Sequence, residues 1–126
     1  MTSSSERDTR VGVVQITSRD DVNANLDAVE RTVRQAASEG AEVILVPECF
    51  AFLGPEEGKL ALAETIEDGG PIRSRMAALA KSAGVELVLG GYWERGSSPT
   101  KVRNTCLHLG ADGELRAAYR KIHLFD

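Results

Sequence analysis

Val43-Ile44-Leu45-Val46-Pro47-Glu48-Cys49-Phe50 is the stretch from which the fold of this chain can be read. Four branched apolar residues in a row fit a strand buried on both faces, the kind found in sheets covered by helices. Pro47 removes a backbone donor, so the strand cannot continue as an interior ladder. Glu48 follows at once, at the strand exit, where open α/β sheets place their chemistry. The plainer reading is a loop glutamate that points at water.

Working outward from this strand, Val11–Ile16 is a second apolar run and reads as the first strand. After the polar connection Thr17–Val22, Asn23 or Asn25 can cap a helix running to about Glu39. Leu26, Val29, Val33, Ala36 and Ala37 form its apolar stripe, and Gly40 sits at a C-terminal cap position. The result is a β-α-β unit with a right-handed parallel crossover. Beyond Glu48, Gly54-Pro55 turns the chain and Glu56–Glu64 forms a short helix. Pro71 opens another helix reaching about Ala83, with Ile72, Met76, Leu79 and Ala80 facing inward and Gly84 as its cap. Val85–Gly90 is the third strand. Asn104–Leu109 and Leu115–Arg120, joined by Gly110-Ala111-Asp112-Gly113, read as a β-hairpin. Strands alternating with helices mean an α/β domain with helices packed on a sheet.

A length of 126 residues suits one domain, and 42% apolar with 27% charged residues is ordinary globular composition. The net charge of −4 and the lack of any basic run argue against a nucleic-acid or anionic-membrane partner. Met1–Arg10 is polar, rich in Ser and Thr, and reads as a disordered tail ahead of a domain spanning 11–126. The sequence carries neither a signal peptide pattern nor a membrane-spanning run, and its two cysteines make no disulfide framework, which points to the cytoplasm.

Gly90-Gly91 lacks the spacing of a phosphate-binding loop. His108 and His123 are far apart and have no ligand-type neighbour, so no metal site is expected, and His108 reads as a strand side chain with a local hydrogen bond. The Gly-x-Ser-x-Gly elbow of serine hydrolases is absent. Cys49 adjoins Glu48 but reads better as a small buried residue, and Cys106 as core, because neighbours on an extended chain point apart. Alternation along the last strand places Leu115, Ala117, Tyr119 and Lys121 on one face. The residues alone leave two readings of Lys121 open: a lysine drawn inward to pair with Glu48, and a surface lysine beside Arg120. Arg95 and Arg103 read as solvated surface residues.

Pro47-Glu48-Cys49-Phe50 together with Tyr119-Arg120-Lys121-Ile122-His123-Leu124-Phe125-Asp126 resembles the nitrilase superfamily of carbon–nitrogen hydrolases. The resemblance runs through Val11-Gly12-Val13-Val14-Gln15, Asn25-Leu26, Leu89–Arg95 and Asn104-Thr105, and in the last two is closest to the amidase branch with ω-amidase and deaminated-glutathione amidase. It implies the N-terminal half of an α-β-β-α sandwich: a mixed sheet with helices on one face and the hairpin at the C-terminal end. It implies a Glu-Lys-Cys triad in which Glu48 and Lys121 hold the first two places. The family's cysteine follows the lysine on a later strand, so no nucleophile is expected within this chain, and the domain reads as truncated before it. The implied reaction is hydrolysis of a small carboxylate-bearing amide through a cysteine thioester, without metal or organic cofactor, in an enzyme that is a homo-oligomer, a dimer. The alternative is a catalytically incomplete fragment or a non-catalytic binding subunit of the same fold.

Overall fold

In the computed structural model, which describes residues 8–121, the strand at Val43–Val46 lies one place in from the edge of a five-stranded sheet. β1 (Val11–Val13), β2 (Val43–Val46) and β3 (Glu86–Arg95) are parallel; β4 (Val102–Leu109) and β5 (Leu115–Arg120) continue antiparallel, in the order β1-β2-β3-β4-β5. Parallel neighbours need a crossover, supplied by α1 (Val22–Ser38) between β1 and β2 and by α2 (Glu56–Leu62) with α3 (Pro71–Ala83) between β2 and β3. The fold is α/β with a mixed sheet and a C-terminal hairpin. His123 and the rest of the expected Ile122–Asp126 segment lie outside the described residues, as do residues 1–7 of the expected tail.

Strand alternation sorts the sheet into two faces. Ile44, Val46, Leu87, Leu89, Leu107 and Leu109 point to the helical side and are buried under Leu26, Val29 and Val33 of α1 and Ile72, Met76 and Leu79 of α3. Arg75 ties the two helices together, donating from Nε to Glu30 at 2.7 Å and also meeting Asp27. The opposite face is open among the described residues except around Trp93: Val13 is 71% and Tyr119 61% exposed, with Val11 and Leu45 also in water. The Val43–Val46 strand is therefore covered by helices on one face, not two. A smaller cluster of Phe52, Ala63 and Trp93 joins α2 and the segment before it to the end of β3.

Several boundaries differ from the sequence reading, each for a local reason. β1 stops at Val13: Val14 N–H still donates to Leu45 O at 3.1 Å, after which Ile16 packs on the core without strand pairing. Asp21 caps α1, its carboxylate accepting from Ala24 N–H at 3.0 Å. Asn25, expected as an alternative cap, is buried inside α1 and braces two loops, donating to Arg19 O at 2.8 Å and Ala51 O at 2.9 Å. β3 runs on to Arg95 because a one-residue bulge at Gly90-Gly91 lets pairing with β4 resume at Tyr92. A second irregularity separates Leu115 from its expected companions. Leu115 opposes Leu109 and packs on the helical side, whereas Ala117 opposes His108 on the open side.

α3 starts against a buried carboxylate. Glu64 accepts from Ile72 N–H at 2.6 Å, Arg73 N–H at 3.1 Å and the Tyr92 hydroxyl at 2.8 Å. It thereby satisfies N-terminal donors that have no partner within the helix and puts negative charge at the favourable end of the helix dipole. Burial and the bond to Glu64 push the Tyr92 phenol far above its ordinary range, so it remains a donor. Glu64→Ala strands these donors in the interior and should lower unfolding stability by roughly 2–4 kcal/mol, with Glu64→Gln losing less, in equilibrium denaturation.

Candidate active site

The site begins where β2 ends. Pro47 and Glu48 leave the strand directly over the bulge in β3, and the two backbones almost touch. A side chain at Gly90 would lie 2.7 Å from Val46 O, and one at Gly91 would lie 2.7 Å from Cys49 N. The glycine pair set aside as a phosphate loop is thus a backbone contact surface for the strand exit.

On the open face, the register sets Trp93 of β3 opposite Asn104 of β4, and Lys121 N–H donates to Asn104 O at 3.0 Å. Lys121 therefore projects over the bulge, where its ammonium donates to Gly90 O at 3.0 Å and to the Glu48 carboxylate. Asn104 Nδ2 donates to the second Glu48 oxygen at 3.3 Å. Of the two readings left open for Lys121, the structure takes the pairing. The burial of the partners is unequal. Lys121 is 29% exposed, but the Glu48 side chain is 56% exposed, hardly less than the 61% of Glu56. Glu48 stands on the sheet face away from α1 and α3, which the segment from Phe52 to Ala63 covers only around Trp93, and its side chain meets water.

Lys121 is placed from behind by its neighbour. Arg120 points to the opposite face and grips the buried Glu94 with both forks, Nε to Oε1 at 2.9 Å and Nη2 to Oε2 at 2.6 Å. Thr105 Oγ1 donates to the same carboxylate at 2.7 Å, and Arg103 stands 3.9 Å away. Burial by itself would raise the Glu94 carboxyl, but Arg120, Thr105 and Arg103 outweigh it and hold the group below its ordinary value. Arg103 is thus engaged with Glu94, and Arg95 donates to Ala63 O at 3.2 Å. His108 and Glu86 form a local pair at 2.6 Å on the open face, the hydrogen bond expected for His108.

Neither thiol is prepared as a nucleophile. Cys49 is half-buried and held at φ 55°, a left-handed conformation unusual for a side-chain-bearing residue. Burial and the Glu48 charge push its thiol up, against a weaker pull from Lys59 and Lys121. Burial also raises Cys106, with Lys121 opposing and Glu48 adding. Cys106 was expected in the core; it is instead half-buried on the open face, opposite Tyr119. Neither thiol is therefore ionised by its surroundings. Sequence reasoning overlooked Asn104 as a partner of Glu48, and Glu94 with Arg120. Their signals were polar residues at strand positions whose facing depends on a bulge.

A family model described as carbon–nitrogen hydrolase matches residues 10–126. The human deaminated glutathione amidase is 36% identical over 120 residues, covering 92% of this chain and 36% of that protein. The chloroplastic omega-amidase of Arabidopsis thaliana is 32% identical over 119 residues, covering 92% of this chain and 32% of that protein. An amidase of the nitrilase superfamily from Nesterenkonia AN1 superposes with a TM-score of 0.79 at 28% identity, covering 94% of this chain and 44% of that one. In a Glu-to-Gln mutant of that amidase, acrylamide has undergone Michael addition at the active-site cysteine. The chain spans about a third of the length of the curated relatives it matches.

The Glu94 clamp makes a pH-dependent prediction. Its depressed carboxyl contributes stability that is fully present above the ordinary value of 4.5 and is lost as pH falls through the lower folded value. The stability advantage of the wild type over Glu94→Gln should therefore be largest at neutral pH and shrink below about 4.5, in denaturation curves taken across that range.

Proposed function

Because the chain belongs to the carbon–nitrogen hydrolase family, we propose that it forms part of an amidase in which Glu48 is the general base and Lys121 the oxyanion stabiliser. The observation that carries this reading is the contact of Lys121 with both Glu48 and Gly90 O at the exit of β2. Hydrolysis of an unactivated amide needs a strong nucleophile, and a thiolate serves once a base has taken its proton. In the proposed cycle Glu48 accepts a thiol proton, and the sulfur adds to the amide carbon. The carbonyl oxygen then carries the negative charge, beside a fixed ammonium. As the C–N bond breaks, Glu48 returns the proton to the departing ammonia and a thioester remains. Glu48 next takes a proton from water, hydroxide adds to the thioester, and collapse expels the sulfur, to which Glu48 returns that proton, leaving the free carboxylic acid and the restored thiol.

The thiol in this proposal is not Cys49 or Cys106, because in the family that the chain resembles the cysteine follows the lysine on a later strand. The amidase whose active-site cysteine reacted with acrylamide supports a cysteine mechanism. The proposed substrate is a small amide that also carries a free carboxylate, on the strength of the ω-amidase and deaminated glutathione amidase relatives. A cytoplasmic dimer is the proposed state of the complete protein. The family resemblance supports the dimer, and the absence of a disulfide framework the compartment.

In the protein expressed from its full natural reading frame, Glu48→Gln and Lys121→Met should each lower kcat on such amides by about 100-fold or more. The 126-residue chain alone should be inactive. Retention of kcat by Glu48→Gln removes this reading. Turnover by the short chain that disappears in Cys49→Ala relocates the nucleophile. Faster hydrolysis of nitriles than of amides changes the substrate class.

A further inference from the structure

Asn104 hydrogen-bonds to both members of the Glu48–Lys121 pair. Its backbone carbonyl accepts from Lys121 N–H at 3.0 Å, and its side-chain amide donates to Glu48 Oε1 at 3.3 Å. The other half of that amide is anomalous. Among the described residues, Asn104 Oδ1 is the buried side-chain polar atom without a hydrogen-bond partner. A rotated amide would set an acceptor against a carboxylate, so the contact with Glu48 dictates which end is stranded.

A buried acceptor left unpaired carries its full desolvation penalty, which an apolar residue of the same shape would not. Packing alone gives no reason for asparagine at this place beside Trp93 on β4. The compensating feature is the hold on Glu48. That carboxylate is 56% exposed and ends a mobile three-bond side chain, so a single contact with Lys121 leaves it free to swing. Asn104 and Lys121 hold separate oxygens, and two points define the carboxylate plane.

We propose that Asn104 is a positioning residue that fixes the Glu48 carboxylate for proton transfer, an inference that rests on the amidase reading above. Asn104 does not touch the reacting atoms in this scheme; it acts through Glu48, and its contribution is orientation, to which rates respond steeply. The orphaned Oδ1 is the stability cost of keeping an amide donor at that point.

The test is a double-mutant cycle in the protein expressed from its full natural reading frame, with unfolding midpoints measured alongside. Asn104→Leu removes donor and orphan together. It should lower kcat about tenfold or more, leave KM within about twofold, and leave the unfolding midpoint equal to or above wild type. Asn104→Asp, which opposes Glu48 with charge, should lose at least as much kcat. In a Glu48→Gln background, Asn104→Leu should cause no further loss, because the group through which it acts is gone. Unchanged kcat in Asn104→Leu overturns the inference, as does a loss that multiplies in the Glu48→Gln background or that tracks a fall in stability. Full activity in Glu48→Gln alone overturns the amidase reading instead. A readout without turnover is the Asn104 side-chain NH2 resonance pair, which should shift in Glu48→Gln. If it does not move, the contact does not exist in solution and the inference fails.

Discussion

The structure of the site depends on one close approach. The backbone from Val46 to Cys49 lies on the Gly90-Gly91 bulge with no room for a side chain between them. A side chain at either glycine would push the exit of β2 off β3. Glu48 would move with it, and Gly90 O would no longer lie under Lys121. The bulge also shifts the pairing between β3 and β4, which decides the faces of Trp93 and Glu94. A single extra residue thus sets where the exit loop rests and which side chains surround it.

The end of β5 shows how strand alternation turns one anchor into two. Arg120 and Lys121 are adjacent in sequence and point to opposite faces. Arg120 is locked by the buried Glu94, whose charge is kept by three donors or cations despite its burial. A buried carboxylate is destabilising unless paired, and here the pairing also fixes the last turn of backbone before Lys121. The ammonium reaches Glu48 from a strand end that cannot drift.

The helical face and the open face of the sheet differ in kind. Leu, Ile and Val under α1 and α3 make a dry core, and polar groups there, such as Glu64 and Asn25, are tied to several partners each. On the open face apolar Val13 and Tyr119 stand in water at opposite edges, while Glu48, Lys121, Asn104, His108 and Glu86 form a polar group between them. Glu48 and Lys121 are close in space yet unequal in exposure, the ammonium being held also by Gly90 O.

Local pattern in the sequence was enough for the α/β class, the β2 strand and its Pro47 stop, both long helices and the hairpin, since periodicity and caps act over a few residues. Family motifs were enough to select Glu48 and Lys121, although no spacing rule joined residues 73 apart in sequence. The sequence did not say that Leu115 parts company with Tyr119, that Asn25 braces a loop, or that Asn104 reaches Glu48. Those outcomes turn on strand irregularities and on close packing between distant segments. A one-residue change of register reverses the face of every side chain after it, and that choice is made by neighbouring strands and not by the strand itself.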